Sequence, residues 1–300
     1  MKVPTLIRIA STILQRRASV LGVYFGGRED QAAAEQQFFS SLRMPNGTAK
    51  TSWDRRLDDL NALVAPLLPS DRPIAVMDVA VGSGISSLEW VDQLRSGGRQ
   101  ARLVAGDLYA WGWLTTWGSK CAVLYLDGGE PLTLEFHGRA VNLQSDRLIA
   151  RSLRRGVAAL LKFQAGGVPA PLLQPPQKGR RIHRRIPLVS PRLVGRGGLE
   201  VVDDDLAQPG RFSDCFDVVR AANILNRAYF DEATLSVFVA NLIERVRQGG
   251  LLAICRTESD GTNRATVFRR TQDSMTVQGR LGGGSEVEDL VLASGSRWQS

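Results

Sequence analysis

Residues 74–107 constrain what this chain can fold into more than any other stretch. Ile74-Ala75-Val76-Met77-Asp78-Val79 is an apolar run interrupted only by Asp78, bounded by Pro73 and by the glycines of Val81-Gly82-Ser83-Gly84. A strand without polar alternation is one covered on both faces, as in a parallel sheet. Ile85 to Leu94 then predicts a helix stopped at Ser96-Gly97-Gly98, and Arg102-Leu103-Val104-Ala105-Gly106-Asp107 predicts a second strand ending on an acid. Strand, helix and strand in this order make parallel neighbours joined by a right-handed crossover. The predicted class is therefore α/β.

Ahead of this unit the pattern is helical. Leu6, Ile9, Ile13 and Leu14 recur at helical spacing within 3–22, and 30–43 is rich in helix formers. Met44-Pro45-Asn46-Gly47 punctuates, and 54–68 returns to helix with Leu57, Leu60, Leu63 and Leu67 on one stripe. Residues 1–70 are expected to form a helical N-terminal cap, and 71–120 the first half of a cofactor-binding domain. From Cys121 the alternation stops. Ala122–Leu126, Asp127-Gly128-Gly129 and Leu132–Phe136 predict a β-hairpin, followed by a helix over 152–163 and a Pro/Gly/Gln-rich loop over 166–179. Residues 121–198 thus read as an insertion with a basic, partly mobile arm. The second half of the domain, 199–300, carries strands at Leu199–Val202, Phe216–Val219 and Leu251–Cys255. It also carries a helix over 231–248 capped by Gly249-Gly250, and closing antiparallel strands at 265–269, 275–279 and 287–292.

The net charge of +8 is uneven: 147–198 holds twelve Lys/Arg and no Asp or Glu, so the rest of the chain sums to −4. That segment can engage an anionic partner, whether RNA, an acidic protein or a lipid surface, and it can equally be a solvated arm. Aromatic interleaving, the mark of single-stranded nucleic-acid binding, is sparse there, with Phe163 alone. Three scattered cysteines (Cys121, Cys215, Cys255) argue against a disulfide framework, and two histidines (His137, His183) against a histidine metal centre. No metal is expected. No run of about 18 apolar residues occurs to cross a bilayer. Arg8 breaks the apolar run at the N-terminus, so a secretory signal is not expected and a cytoplasmic location is. Residues 1–28, with five basic residues and no acid, also have the composition of a mitochondrial presequence.

The chemistry lies in Asp78-Val79-Ala80-Val81-Gly82-Ser83-Gly84. A buried strand, a glycine turn and a helix bring backbone close to a ligand at the helix N-terminus. The dinucleotide fingerprint asks for a third glycine where Ser87 stands, and Asp78 would repel a diphosphate but not a cationic ligand. The segment resembles the Asp-x-Gly-x-Gly-x-Gly motif of class I S-adenosylmethionine-dependent methyltransferases, with Ala80 in place of the first glycine. The resemblance continues in order over 71–110 and 199–292. Asp107, with Leu108 beside it, matches the acid that accepts ribose hydroxyls. Asp204-Asp205-Leu206 match the adenine-contact position. Phe216–Val219 match the fourth strand, and Gly249–Leu252 the turn and strand after the next helix.

Within that class, 216–231 is most similar to chemotaxis-receptor methyltransferases, where an Arg-Asn pair follows the strand; Asn223 keeps the asparagine and Ala222 replaces the arginine. The resemblance implies a Rossmann-like, mostly parallel sheet with an antiparallel C-terminal strand. It also implies S-adenosylmethionine as cofactor, held by Asp78, Ala80, Gly82, Ser83, Gly84, Asp107, Leu108, Asp204, Asp205, Leu206 and Asn223, and a small-molecule or peptide acceptor. Asn223, Asn226 and Arg227 fall in the loop that faces the transferred methyl in the family, which makes them the catalytic candidates. The loop lacks the Asn/Asp-Pro-Pro-Tyr/Phe run of nucleobase amino methyltransferases. Plainer readings stand beside these: Asp107 as a solvated strand end, 203–205 as an acidic turn, and Tyr109, Trp111, Trp113 and Trp117 as packing residues. Two further functions remain open: a nucleic-acid-binding protein or RNA methyltransferase using the basic insertion, and a nicotinamide-dependent oxidoreductase.

Overall fold

A computed structural model describes residues 19–26, 31–118, 120–162 and 181–295. The chain divides into two compact units, one of Met1–Ser52 with Trp111–Pro191 and the other of Trp53–Ala110 with Arg192–Ser300.

In the first unit, helices α1 (Val20–Phe25) and α2 (Gln31–Ser41) precede strands β3 (Trp111–Trp117), β4 (Cys121–Tyr125), β5 (Pro131–Phe136) and β6 (Arg139–Asn142), helix α5 (Leu148–Lys162) and strand β7 (Arg181–Pro187). The second holds helix α3 (Asp58–Val64), β1 (Ile74–Val79), α4 (Ile85–Ser96), β2 (Ala101–Asp107), β8 (Leu199–Asp203), β9 (Phe216–Ala222), α6 (Glu232–Arg245), β10 (Val246–Thr257), β11 (Asn263–Arg270), β12 (Met275–Leu281) and α7 (Glu288–Gly295).

Among the described residues the second unit's strands form one seven-stranded sheet, ordered β12-β11-β10-β9-β1-β2-β8. From β8 to β10 all neighbours are parallel, while β11 and β12 are antiparallel additions. Taken in chain order, the parallel strands run 3-2-1-4-5, the order of a Rossmann-like sheet. The period of two sorts side chains between its faces. Met77, Val79, Val219 and Ala221 join Leu235, Phe238, Val239 and Leu242 of α6 in one apolar core. Asp78 and Arg220, one residue out of phase, point to the opposite face with α3 and α4.

Several sequence expectations are corrected. Residues 287–292 contribute to helix α7, not a strand; a short apolar run does not distinguish the two. Helix α6 ends at Arg245, and Gly249-Gly250 fall in an irregularity of β10 between its paired residues Val246 and Leu251. The antiparallel closing strands expected at 265–269 and 275–279 are present as β11 and β12.

The four-part division expected from the sequence and the two-unit division differ. Residues 19–52 pack with the antiparallel unit, where Leu21 N–H donates to Glu135 Oε2 (3.2 Å), Asn142 Nδ2 to Ser41 O (2.9 Å) and Ser190 Oγ to Glu35 Oε2 (2.7 Å). The hairpin expected at 122–136 is present as β4–β5, but it belongs to a five-stranded sheet ordered β6-β5-β4-β3-β7. Residues 181–187 of the basic segment, expected as an arm, are a strand of that sheet with Arg184 buried. The expected loop at 166–179 and most of the helix expected over 3–22 lie outside the described residues.

Candidate functional site

In an open parallel sheet, ligands bind beyond the C-terminal strand ends where the strand order reverses. Here that point lies between β1 and β9, flanked by 80–84 on one side and Asn223 on the other. Ala80, Gly82 and Gly84 all have left-handed backbone, with φ of 53°, 61° and 74°. Ala80 therefore keeps the conformation its missing glycine would adopt, at a cost of about 1–2 kcal/mol for a residue with a Cβ. Val81 N–H donates to Gly106 O (3.2 Å) and Gly82 N–H to Asp107 Oδ2 (2.9 Å), so the turn is bound to the end of β2. Tyr109 N–H donates to the other Asp107 oxygen at 3.1 Å. Ser83 is fully buried, and its Oγ has no hydrogen-bond partner among the described residues. Leu108, by contrast, is an exposed hydrophobic residue directly after Asp107.

Asp78 is held differently. Arg220 is its direct neighbour across β1 and β9, and donates from Nε to Oδ1 (3.0 Å) and from Nη2 to Oδ2 (2.6 Å). Ser87 Oγ adds a third bond at 2.5 Å. The guanidinium also donates to Asn61 Oδ1 (2.8 Å) and Ser86 O (3.1 Å), and lies 4.2 Å from the centre of the Trp90 ring. Both charges are buried, and Arg220 neutralises the carboxylate that the sequence reading expected to repel a diphosphate. Its effect on a ligand passes through the N-terminus of α4, which the network grips at Ser86 and Ser87.

The acidic run after β8 separates into three roles. Asp203 Oδ1 accepts from Ala110 N–H (2.9 Å), tying β8 to the loop that follows Asp107. Asp204 is half-buried against the buried Arg245, which donates to it at 2.6 Å, and Leu206 is in the α6 core. These two side chains are committed inward. Asp205 stays near the surface and caps the following turn through Ala207 N–H (2.9 Å).

The loop after β9 is braced more than it is poised. Asn223, with φ of 60°, accepts from Thr257 N–H at 2.7 Å, and its own N–H donates to Cys255 O at 2.8 Å, locking the ends of β9 and β10 together. Asn226 Oδ1 accepts from Ala228 N–H (2.8 Å) and Arg256 (3.1 Å). Arg227 pairs with Asp289 of α7 at 2.7 Å. Asn226 and Arg227 thus hold α7 and β10 in place. Burial pushes the Cys255 thiol up to about 12, so it is no nucleophile at neutral pH. The structure brings the 80–84 turn, Asp107 and Leu108 together and turns Asp78, Asp204 and Leu206 away.

Arg220 is the residue that the sequence reading missed. A lone arginine inside the apolar run Phe216–Ala222 has to find a buried acid, and that signal was there to read. Ser87, noted only as the absent third glycine, turns out to serve Asp78.

No protein-family model matches the chain, and no curated protein matches it. Solved structures do. The chain is 14% identical to Burkholderia thailandensis 1,6-didemethyltoxoflavin-N1-methyltransferase, solved with 1,6-didemethyltoxoflavin and S-adenosylhomocysteine, over 80% of this chain and 67% of that one at a TM-score of 0.34. It is 10% identical to the 4+2 cyclase SpnF over 85% of this chain and 56% of that one, TM-score 0.31. With the CurJ carbon methyltransferase the identity is 15%, over 66% and 35%, TM-score 0.32. The chain spans about half the length of several structures it matches. TM-scores this low carry no argument about activity, which has to rest on the residues of the site.

Proposed function

We propose that the parallel-sheet unit is an S-adenosylmethionine-dependent methyltransferase, with an oxygen or nitrogen nucleophile of a small molecule or peptide as acceptor. The observation that carries this reading is the Asp107 carboxylate, held by the Gly82 and Tyr109 N–H groups at the end of β2 beside a left-handed turn. A carboxylate offers two oxygens and about four lone-pair sites, so it can accept from a vicinal diol as well as from the backbone. The residues fit the nucleoside half of the cofactor. Asp107 would take the ribose hydroxyls, Leu108 and Asp205 remain at the surface for the adenine, and the Ala80–Gly84 turn brings backbone up to the ligand. Ser83 Oγ, buried without a partner among the described residues, is a polar atom available to a ligand.

When bound, S-adenosylmethionine supplies a methyl group on a sulfonium, an electrophile that needs positioning and little else. The chain's contribution is accordingly orientation. The Asp78–Arg220–Asn61 network fixes the start of α4, and Asn223 fixes the loop beside the switch point. Neither Asn226 nor Arg227 is offered as a base.

Calorimetric titration with S-adenosylmethionine, S-adenosylhomocysteine and NAD tests the reading. Both sulfur compounds should bind and NAD should not. A charge-assisted hydrogen bond contributes about 1.5–3 kcal/mol, so Asp107→Ala should weaken S-adenosylhomocysteine at least tenfold in a protein with unchanged circular dichroism. Absence of binding by both sulfur compounds at millimolar concentration sinks the proposal.

A further inference from the structure

Within the parallel-sheet unit, the segment that leads into α3 is tied to the switch point by an unbroken run of hydrogen bonds. Asn223 Nδ2 donates to Thr257 Oγ1 (3.3 Å) and Thr257 Oγ1 to Asn263 Oδ1 (2.8 Å). Asn263 Nδ2 in turn donates to Arg56 O (2.7 Å) and Asp59 Oδ1 (2.7 Å). The same segment is held to α4, where both oxygens of Glu89 accept from Arg55 N–H at 2.9 and 3.0 Å. Arg55 has φ of 61°, a left-handed conformation that a residue with a Cβ disfavours. Backbone kept in such a state by bonds on both sides gathers where a neighbouring group is being positioned. The group positioned here is the side chain of Arg56.

Arg56 is half-buried, with its Nε shut off from solvent, and its Cζ lies 5.3 Å from the centre of the Trp53 ring. Among the described residues its guanidinium makes no hydrogen bond and no ion pair. The nearby acids are engaged elsewhere. Asp78 holds Arg220, and Glu89 accepts from the Arg55 backbone. Asp58 accepts from Arg55 Nε (2.8 Å), and Asp59 from Leu60 N–H (2.7 Å) as well as from Asn263. Arg227 and Arg256, by contrast, each have an acid, Asp289 and Glu286. Burial, and then the charge of Arg220, push the Arg56 pKa down from its ordinary value. Its charge is one that the surroundings disfavour and that an anion carried in by a ligand would stabilise.

We propose that Arg56 binds a carboxylate of the methyl acceptor, so that the substrate of this site is a carboxylic acid held as its anion; the inference rests on the methyl-transfer reading. The strand order separates the two ligands. Asp107, which takes the nucleoside, ends β2 on one side of β1, whereas the bonds to Arg56 come from Asn223, Thr257 and Asn263 on the β9–β10–β11 side. A planar guanidinium matches the two oxygens of a carboxylate. A phosphate dianion would call for a second cation, and the neighbouring Arg220 is already committed to Asp78. Bonding to a guanidinium draws electron density from the carboxylate oxygens. The carboxylate is therefore the anchor, and the nucleophile is another oxygen or nitrogen of the same molecule.

The test uses the full chain and benzoate as the probe, with benzamide as its neutral counterpart. Both are titrated by calorimetry at constant ionic strength, with and without saturating S-adenosylhomocysteine. Benzoate should bind about tenfold or more tightly than benzamide, as a charge-assisted hydrogen bond implies, and should bind alongside S-adenosylhomocysteine. Arg56→Gln should remove the preference, and Arg56→Lys, which keeps the charge without the planar fork, should retain part of it. Because no acid pairs with the guanidinium, Arg56→Gln should leave the denaturation midpoint unchanged or raise it. Equal response to benzoate and benzamide, a preference that survives in Arg56→Gln, or a lowered midpoint overturns the proposal. So does competition between benzoate and S-adenosylhomocysteine with loss of S-adenosylhomocysteine affinity in Arg56→Gln, which would give the arginine to the cofactor's own carboxylate. The methyl-transfer reading fails separately, on S-adenosylhomocysteine titration alone, while benzoate discrimination without the cofactor reads Arg56 alone.

Discussion

The two units set their arginines beside different surroundings, although both contain ion pairs and ring contacts. In the parallel-sheet unit the guanidinium groups meet carboxylates: Arg220 with Asp78, Arg245 with Asp204, Arg256 with Glu286, Arg227 with Asp289, Arg280 with Glu288. In the antiparallel-sheet unit ring contacts stand out, Arg181 on Trp117, Arg185 on Trp111 and Arg184 on Phe25, beside the pairs of Arg151 with Asp146 and Arg154 with Glu130. An ion pair cancels charge, whereas a ring orients a cation and leaves its charge in place. By composition the antiparallel-sheet unit has nineteen Lys/Arg against seven Asp/Glu, so it is strongly positive, while the rest of the chain sums to −4. The difference also locates the chemistry. Where acids are spent on arginines, as at Asp78 and Asp204, they are not available to a ligand, whereas Asp107 accepts from the Gly82 and Tyr109 N–H groups.

The sharpest way to break this comparison is to remove one arginine from each unit. Arg220→Met leaves Asp78 buried without its counter-charge and should cost about 3–5 kcal/mol, read as a fall in denaturation midpoint at unchanged m-value. Arg185→Gln, at an exposed position over the Trp111 ring, should cost about 1 kcal/mol. Asp78→Asn combined with Arg220→Met should be less harmful than the sum of the two singles, because the pair shares one loss. Equal costs for Arg220→Met and Arg185→Gln would mean that the pairing carries no special weight in the parallel-sheet unit.

What could be read from the sequence follows the same line. Strand β1, helix α4 and strand β2 were legible because their signal is local: an apolar run, a turn that needs left-handed residues, a helix and an acid. Asp107 was legible for the same reason. The fate of Asp78 was not, because its partner lies 142 positions away and only the β1–β9 register brings the two together. Strands β3 and β7 were missed for a related reason. Trp111–Trp117 reads as an aromatic cluster and Arg181–Pro187 as a charge cluster until the pairing of Trp113 with Arg185 makes them one surface. Local pattern gave the elements, while the meaning of each charge depended on what the sheet set beside it.

A smaller effect separates strain from pairing inside the parallel-sheet unit. Ala80 adopts φ of 53° in a turn whose other left-handed residues are glycines. Ala80→Gly relieves about 1–2 kcal/mol of left-handed strain but loosens the unfolded chain by about 0.4–1 kcal/mol. A net effect between about zero and a stabilisation of about 1.6 kcal/mol is expected by the same arithmetic. Because the turn is also bonded to Asp107, S-adenosylhomocysteine affinity should stay within about threefold, an energy of some 0.6 kcal/mol. A destabilised Ala80→Gly would place the strain elsewhere.

The smallest predicted effect belongs to the antiparallel-sheet unit and depends on pH. Burial, and then the neighbouring Arg181 charge, hold the His183 imidazole below its ordinary value of 6.5. In the native state it stays neutral, with Nδ1 at the Tyr125 hydroxyl; in the unfolded chain it protonates near 6.5. Above that pH neither state carries the proton and the His183 contribution is fully present. As pH falls below 6.5 the unfolded state binds more protons, so stability drops until the native imidazole protonates as well. Denaturation midpoints followed downward through that window should fall less steeply in His183→Gln, whose side chain can still bond Tyr125 but cannot titrate. Identical slopes for the two proteins would mean that the stacked imidazole takes up its proton as it does in the unfolded chain, so that neither burial nor Arg181 holds it down.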